Sequence, residues 1–475
     1  MYRAGTGDFF VLQFKKGITQ SFTMMIDCGC INGSKDGFKP LVEDLVAYTR
    51  GVVDLLVVTH EHADHINGFQ KSADIFNRIN FKKVWFAWTE DDQDPIANDY
   101  RANHSEMALA LNAAVSKLNG LVATNHYESL FAAEAHGDAM LAGRKHFISS
   151  LTALNALNAN TASAPGTPKP TMVQLLRDYK VIKQNTIVEF LEPGDVKADL
   201  PGAKGIGFFV MGPPRNSVYL NRTEKDGENY DKREEKSTLD VALIEALNVG
   251  GAQSINLVLP FDAAYEADAS EKPYSNFYEQ GSDWRKIDHD WLFNAGSLAL
   301  RYERSINNTS LALAIRFNAS EKVLLFPGDA EFGNWESWHD ALEWPVNIGG
   351  ETVMKNAAYF LNKTVFYKVG HHMSQNGTAK GKGVEMMPDD ALAAMATLDF
   401  NKIQPGWLST MPNDLLGAAL IRKTRGKLFF VGDRNQIVPN IKTNRVTIRQ
   451  EDEDNLNKLN TPFDGKFFID YTVNG

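Results

Sequence analysis

Three features of this 475-residue sequence predict an α/β fold. Short β-branched and aromatic runs alternate with helical periodicity in both halves. The run Val52 to Val58 is apolar almost throughout, as expected of a strand buried on both faces. Each half also contains a buried-type run that stops at a loop rich in His or Asp.

Taken in order, Phe9 to Phe14 and Phe22 to Ile26 read as strands, the second halted by Asp27-Cys28-Gly29. Apolar positions Leu41, Leu45 and Val46 predict a helix over Leu41 to Arg50, ahead of the Val52 to Val58 strand. A polar, His-rich loop follows, and helix resumes from Ile66. Phe81 to Trp88 is a further strand and Asn98 to Leu118 an amphipathic helix. Residues 131–170 read as a helix followed by a Pro-containing connector, and the mixed-charge run 222–236 as a solvated loop. Later strands are expected at Ser310 to Phe317, Lys322 to Phe326, Val365 to Val369 and Lys427 to Val431, with an edge or capping strand at Phe467 to Val473.

Composition narrows the class. Hydrophobic residues make up 43%, which suits a packed globular chain. A net charge of −10 argues against a general nucleic-acid coat protein, which needs many Lys/Arg–phosphate contacts, but leaves room for an enzyme with a local basic groove. Cys28 and Cys30 are the only cysteines, so no disulfide framework is expected and a cytoplasmic location is the default. No stretch approaches the ~18 apolar residues a membrane span requires, and no apolar leader opens the chain. The whole of 1–475 is read as one domain with insertions at about 126–180 and 215–300.

The chemistry concentrates in Thr59-His60-Glu61-His62-Ala63-Asp64-His65, where three imidazoles and two carboxylates follow a buried strand. Imidazole nitrogen and carboxylate oxygen are the usual protein ligands of zinc and related divalent ions. With only 11 histidines in the chain, such clustering is improbable by chance. Two distant segments add to it. Val323 to Phe326 runs into Pro327-Gly328-Asp329-Ala330-Glu331, and Val365 to Val369 runs into Gly370-His371-His372. Core packing accounts for Trp85, Trp88, Trp335, Trp338 and Trp344, and Cys-x-Cys alone is not a zinc pair. Ser374, Asn376 and Thr378 suit either phosphate binding or local turn bonding.

The pattern His-x-His-x-Asp-His resembles the signature of the metallo-β-lactamase-fold superfamily, and more narrowly the soluble metal-hydrolase domain of ComEC-like DNA-uptake proteins. Further pieces carry the resemblance: Gly7-Asp8-Phe9, Met25-Ile26-Asp27-Cys28-Gly29, Val210-Met211-Gly212-Pro213-Pro214-Arg215, Asn307-Asn308-Thr309-Ser310-Leu311, Phe326 to Glu331 and Lys368 to His372. It implies a four-layer αββα sandwich with metals at one edge. It further implies His60 and His62 on one metal, Asp64, His65 and His371 on a second, and Asp329 bridging the two. His372 would face substrate or share a proton, and Asp27 would buttress the His loop by hydrogen bonds. The third histidine of the first metal site has no counterpart in Val210-Met211-Gly212-Pro213-Pro214, unless His104, His126, His136, His146 or His289 reaches in.

The expected activity is hydrolysis by metal-activated hydroxide, with zinc or manganese as cofactor. A phosphodiester substrate, such as a nucleic acid or nucleotide, is the leading reading. Asp64 would orient the hydroxide, while His372, Ser374 and Asn376 would steady the phosphoryl group. The alternatives are a hydrolase of a small lactam, ester or thioester, and a weakly catalytic metal-binding scaffold whose insertions bind a protein partner.

Overall fold

The computed structural model describes residues 1–16, 20–31, 33–123, 151–152, 170–231, 304–400, 411–432, 437–460 and 467–475. Its first sheet is formed by β1 (Phe10–Lys16), β2 (Gln20–Ile26), β3 (Val52–Val57), β4 (Asn80–Ala87) and β5 (Ile187–Leu191), side by side in chain order. The pair β1–β2 is antiparallel and the remaining pairs are parallel. The second sheet contains β6 (Val196–Ala198), β7 (Ile206–Gly212), β8 (Ala312–Phe317) and β9 (Val323–Phe326). A separate hairpin, β10 (Trp344–Ile348) and β11 (Glu351–Lys355), precedes its last strands, β12 (Thr364–Lys368), β13 (Ala393–Ala396) and β14 (Leu428–Phe430). The spatial order of the second sheet is β14-β13-β12-β9-β8-β7-β6, parallel from β14 to β9 and antiparallel beyond.

Alternation within each strand feeds two different cores, since successive side chains point to opposite faces. Met24, Leu55 and Trp85 of the first sheet meet Phe208, Leu324 and Phe366 of the second in one apolar cluster. Their sequence neighbours Met25, Leu56 and Val84 pack the other way. They meet α1 (Lys35–Thr49) through Leu41, Val42 and Leu45, and α2 (Ala63–Lys71) through Ile66 and Phe69. On the far side of the second sheet, Leu325 and Tyr367 pack with Trp335 and Trp338. Burial on both faces is why these strands read as unbroken apolar runs.

Helix boundaries follow local chemistry. Ser34 caps α1 by accepting from the Gly37 amide, and Arg50 ends it in a left-handed conformation. The short α3 (Ala73–Phe76) and the long α4 (Pro95–Ala123) follow. Thr171 and Gln174 form a reciprocal capping box at the start of α5 (Met172–Asp178). Further α-helices among the described residues are α6 (Ser217–Leu220), α7 (Phe332–Asp340), α8 (Ala357–Asn362), α9 (Asp414–Thr424), α10 (Ile437–Ile441) and α11 (Gln450–Leu459). Among the described residues no helix is long and apolar enough to cross a membrane.

Two expectations need correction. Helix α2 begins at Ala63, so Asp64 and His65 lie in its first turn rather than in a loop. The run Phe467 to Val473 makes one isolated bridge, Tyr2 to Phe468, and otherwise lies as irregular chain over the inter-sheet cluster through Ile469, Tyr471 and Val473. The described part of the charged run, 222–231, is a largely exposed loop as expected, anchored by Arg222 and Lys225 on Glu336 and by the buried Tyr230. The insertions expected at about 126–180 and 215–300 lie largely outside the described residues.

The turn carrying Asp64 and His65 is locked against the segment after β2. Cys28 N donates to His65 O at 2.8 Å, and Asp8 N donates to Asp64 O at 3.0 Å. Contact is so close that a Cβ on Gly29 would stand 2.3 Å from the Asp64 carbonyl carbon. Gly29→Ala is therefore expected to lower the unfolding free energy by about 1–3 kcal/mol. Thermal denaturation checks this, and an unchanged Tm would contradict it.

Candidate metal centre

Five strands deliver polar groups to one edge of the two sheets. Asp8 precedes β1, Asp27 follows β2, Thr59 and His60 follow β3, Asp329 follows β9, and Lys368 closes β12. In open α/β sheets, ligands gather outside the carboxyl ends of the parallel strands, and this edge obeys that rule. The arrangement is buried: Asp8, Asp27, Asp64, His65, Asp329, Lys368 and His372 are each no more than 3% exposed.

Asp27 organises the His loop. Thr59 N donates to its Oδ1 at 2.8 Å, and Thr59 Oγ1 to its Oδ2 at 2.6 Å. His65 Nδ1 donates to the same Oδ2 at 2.8 Å. That bond fixes the ring so that Nε2 points at Asp329 Oδ2, 3.1 Å away. His372 arrives from the other sheet in a matching way. Its Nδ1 lies 3.2 Å from the Thr397 carbonyl, which can only accept, and 2.9 Å from Thr397 Oγ1. His372 Nε2 then lies 3.1 Å from Asp329 Oδ2 and 2.9 Å from Asp64 Oδ2. Metal-binding histidines are typically held this way, with the second ring nitrogen donating to an outer acceptor.

Asp8, His65, Asp329 and His372 form a buried group whose ligand atoms all lie within 4.8 Å of one another, and it could hold a metal ion. Asp64 adjoins it, and its Oδ1 is buried without a hydrogen-bond partner. A buried carboxylate oxygen left over at such a place suits a cation, because burying it unpaired is costly. Nitrogen and carboxylate donors together are a ligand set common to divalent transition-metal sites.

The two adjacent histidines are not placed as expected. His372, not His371, stands between Asp64 and Asp329. His371 turns to Asn307, with Nε2 3.3 Å from Asn307 Nδ2, and its Nδ1 is 3.8 Å from Glu331 Oε1. The cause is the backbone. His371, His372 and Met373 have φ of 43°, 46° and 71°, a left-handed turn that swings consecutive side chains apart. Such conformations cost of order 1–3 kcal/mol per residue and cluster at functional sites.

His60 and His62 fall outside the buried group. His60 Nδ1 is 3.0 Å from Thr59 Oγ1 and 3.2 Å from Ser310 Oγ, and its Nε2 is 3.2 Å from His62 Nδ1. Ser374 Oγ donates to Asn376 Oδ1 at 2.9 Å, both residues being buried. His104 packs edge-on against Tyr100, with ring centres 4.3 Å apart. His126, His136, His146 and His289 lie outside the described residues. Asp8, Lys368 and Thr397 received no role from the sequence. Asp8 and Lys368 sit inside the conspicuous pieces Gly7-Asp8-Phe9 and Lys368-Val369-Gly370-His371-His372, so the only signal was a charge placed at a buried strand end.

Electrostatics bind the group together. Burial opposes charge on Asp329, yet His372, Lys368 and His65 hold its carboxyl well below the usual range. Burial likewise opposes charge on Asp64, but His65 and His372 bring it down to about 2. His65 is driven well up against its own burial by Asp329, Asp8 and Asp64. His372 is raised to about 9, chiefly by Asp329 against the burial penalty. His60 moves the other way: burial, with His65 and His62 beside it, keeps that ring neutral.

No protein-family model, curated protein or solved structure matches the chain.

The raised His372 value has a direct consequence for metal binding. Below about pH 9 this ring carries a proton that a metal must expel. Affinity therefore rises with pH, by roughly tenfold per unit for each proton displaced. Between pH 6 and 8, chelator competition with Zn²⁺ should show at least about a 100-fold gain. A pH-independent affinity would contradict the placement of His372.

Proposed function

We propose that this chain is a metal-dependent hydrolase acting on phosphodiesters, built on an αββα sandwich of the metallo-β-lactamase kind. The observation that carries the reading is the convergence of His65 Nε2 and His372 Nε2 on one oxygen of Asp329, with Asp64 alongside. Apolar packing supports the layering, since the sheets share one cluster and helices cover their outer faces.

His65, Asp329, His372 and Asp64 would hold the ion. A bound divalent ion acidifies water and offsets charge developing on a phosphoryl oxygen. Around it the protein's own groups do the rest. Asp27 and Thr397 keep His65 and His372 oriented with Nε2 inward. Asp64 Oδ1, buried and without a hydrogen-bond partner, can accept a hydrogen bond that orients the attacking water. His371 is 8% exposed against 2% for His372, so it stands nearer the rim. Adjoining Glu331, it suits proton delivery to a leaving oxygen. Ser374 and Asn376, hydrogen-bonded to each other, would steady the phosphoryl group.

Zinc or manganese is the proposed cofactor, and a nucleic acid or nucleotide the proposed substrate, handled in the cytoplasm. The net charge of −10 favours a second reading, a hydrolase of small lactams, esters or thioesters, over a nuclease.

The expected result is cleavage of a chromogenic phosphodiester that chelation abolishes and Zn²⁺ or Mn²⁺ restores. Asp64→Ala should cost about 100-fold or more in kcat/KM, the scale of losing a group that positions the reacting water. His372→Ala should lose bound metal, whereas His371→Ala should keep the metal and lose kcat. Turnover of a lactam or thioester with no phosphodiester cleavage would transfer the assignment to the second reading.

A further inference from the structure

We propose that this centre takes a single metal ion, and that the Lys368 ammonium fills the place a second ion would need. The proposal rests on the metal-dependent reading above and concerns how many ions that site accepts. Lys368 Nζ lies 2.7 Å from Asp8 Oδ2, 2.8 Å from Asp329 Oδ1 and 2.9 Å from the Gly328 carbonyl oxygen. An ammonium has three hydrogens, and three oxygens here receive them. The side chain is 1% exposed, so it cannot leave for solvent without disrupting β12 and its neighbours.

This arrangement consumes the carboxylate oxygens that a second ion would use. Asp8 Oδ1 already accepts from Thr397 Oγ1 at 2.7 Å, and its Oδ2 belongs to Lys368. Asp8 therefore anchors Lys368 and Thr397, although its oxygens lie close enough to His65, Asp329 and His372 to be counted with them. Asp329 gives Oδ1 to Lys368, which leaves Oδ2 as its one oxygen for a metal. That oxygen faces His65 and His372.

Among the described residues, the side near His60 and His62 is short of ligands. No side chain can be added from the end of β7, because a Cβ on Gly212 would stand 2.5 Å from Asn334 Oδ1 and 3.4 Å from Trp338 Nε1. A second ion would have two imidazoles, would have to share Asp329 Oδ2, and would sit near a fixed positive charge. Zinc sites normally hold at least three protein ligands, and like charges repel strongly in a buried, weakly screened site.

The test is metal content by mass spectrometry after the full chain is loaded with excess Zn²⁺ and desalted. One equivalent is expected for the wild type and for His60→Ala. Lys368→Met should gain a second equivalent, because Asp8 Oδ2 and Asp329 Oδ1 are released. Two tight equivalents in the wild type, or loss of the single equivalent in His60→Ala, would overturn the proposal. So would a folded Lys368→Met chain that still holds only one. If Lys368→Met does not fold, the wild-type and His60→Ala measurements decide alone. No bound equivalent at all would overturn the metal reading itself, and one equivalent without phosphodiester cleavage would overturn only the substrate assignment.

Discussion

The Asp329 carboxylate is the point on which both sheets depend. One oxygen faces two imidazoles, the other faces the Lys368 ammonium, and all four groups are buried. Removing any partner would leave charge stranded in a poorly solvating interior, which costs several kcal/mol. His65 comes from the first sheet's side, while Asp329, Lys368 and His372 come from the second. The ionic cluster therefore fixes how the two sheets meet at this edge, as the Phe10, Leu55, Phe208 and Phe326 cluster fixes it behind. Apolar packing is non-directional and tolerates small slides. A carboxylate shared among three cations does not.

Backbone conformation serves the same cluster. The left-handed stretch from His371 to Met373 is held by its surroundings: Gly370 N donates to Tyr367 Oη at 3.1 Å, and Ser374 N to His371 O at 2.8 Å. Asn413 N donates to Met373 O at 2.9 Å. Without that turn, the first ring after Gly370 could not turn to Asn307 and Glu331 while the next reaches Asp64. On the opposite sheet, Asp64 gains from its place in the first turn of α2, where the helix dipole favours negative charge.

Much of this could be read from the residues alone. The strands β1, β2, β3, β4, β8, β9, β12 and β14 were expected near their observed positions because each is buried on at least one face by apolar side chains. The strand β13, Ala-Ala-Met-Ala, carries almost no intrinsic strand preference and exists because β12 and β14 flank it. Thr397 at its end was hidden for the same reason. His65, Asp64 and Asp329 stood out because histidines and carboxylates directly after buried strands have few other uses. The choice between His371 and His372 could not be made from spacing, since it turns on three φ angles that no local composition signals. Lys368 was masked by its own surroundings, as a lysine beside an apolar run reads as a solvated strand end until its two carboxylates are found.

The two threonines show how one chain solves the same problem twice. Thr59 Oγ1 gives its hydrogen to Asp27, and Thr397 Oγ1 gives its hydrogen to Asp8. A hydroxyl that has spent its hydrogen on a carboxylate can only accept from a ring nitrogen. His372 Nδ1 must therefore donate to Thr397, whereas His60 Nδ1 has both Thr59 Oγ1 and Ser310 Oγ within reach. The His372 ring is left with a bare Nε2 whenever it is neutral. The Asp8–Thr397 pair thus sets the tautomer of His372, as Asp27 sets that of His65, independently of any ion. The Nε2 atoms of His65 and His372 are oriented by the fold, so an ion binding there would have only the protons on these two rings to displace. Preparation of this kind raises affinity by removing an ordering cost rather than by adding a contact.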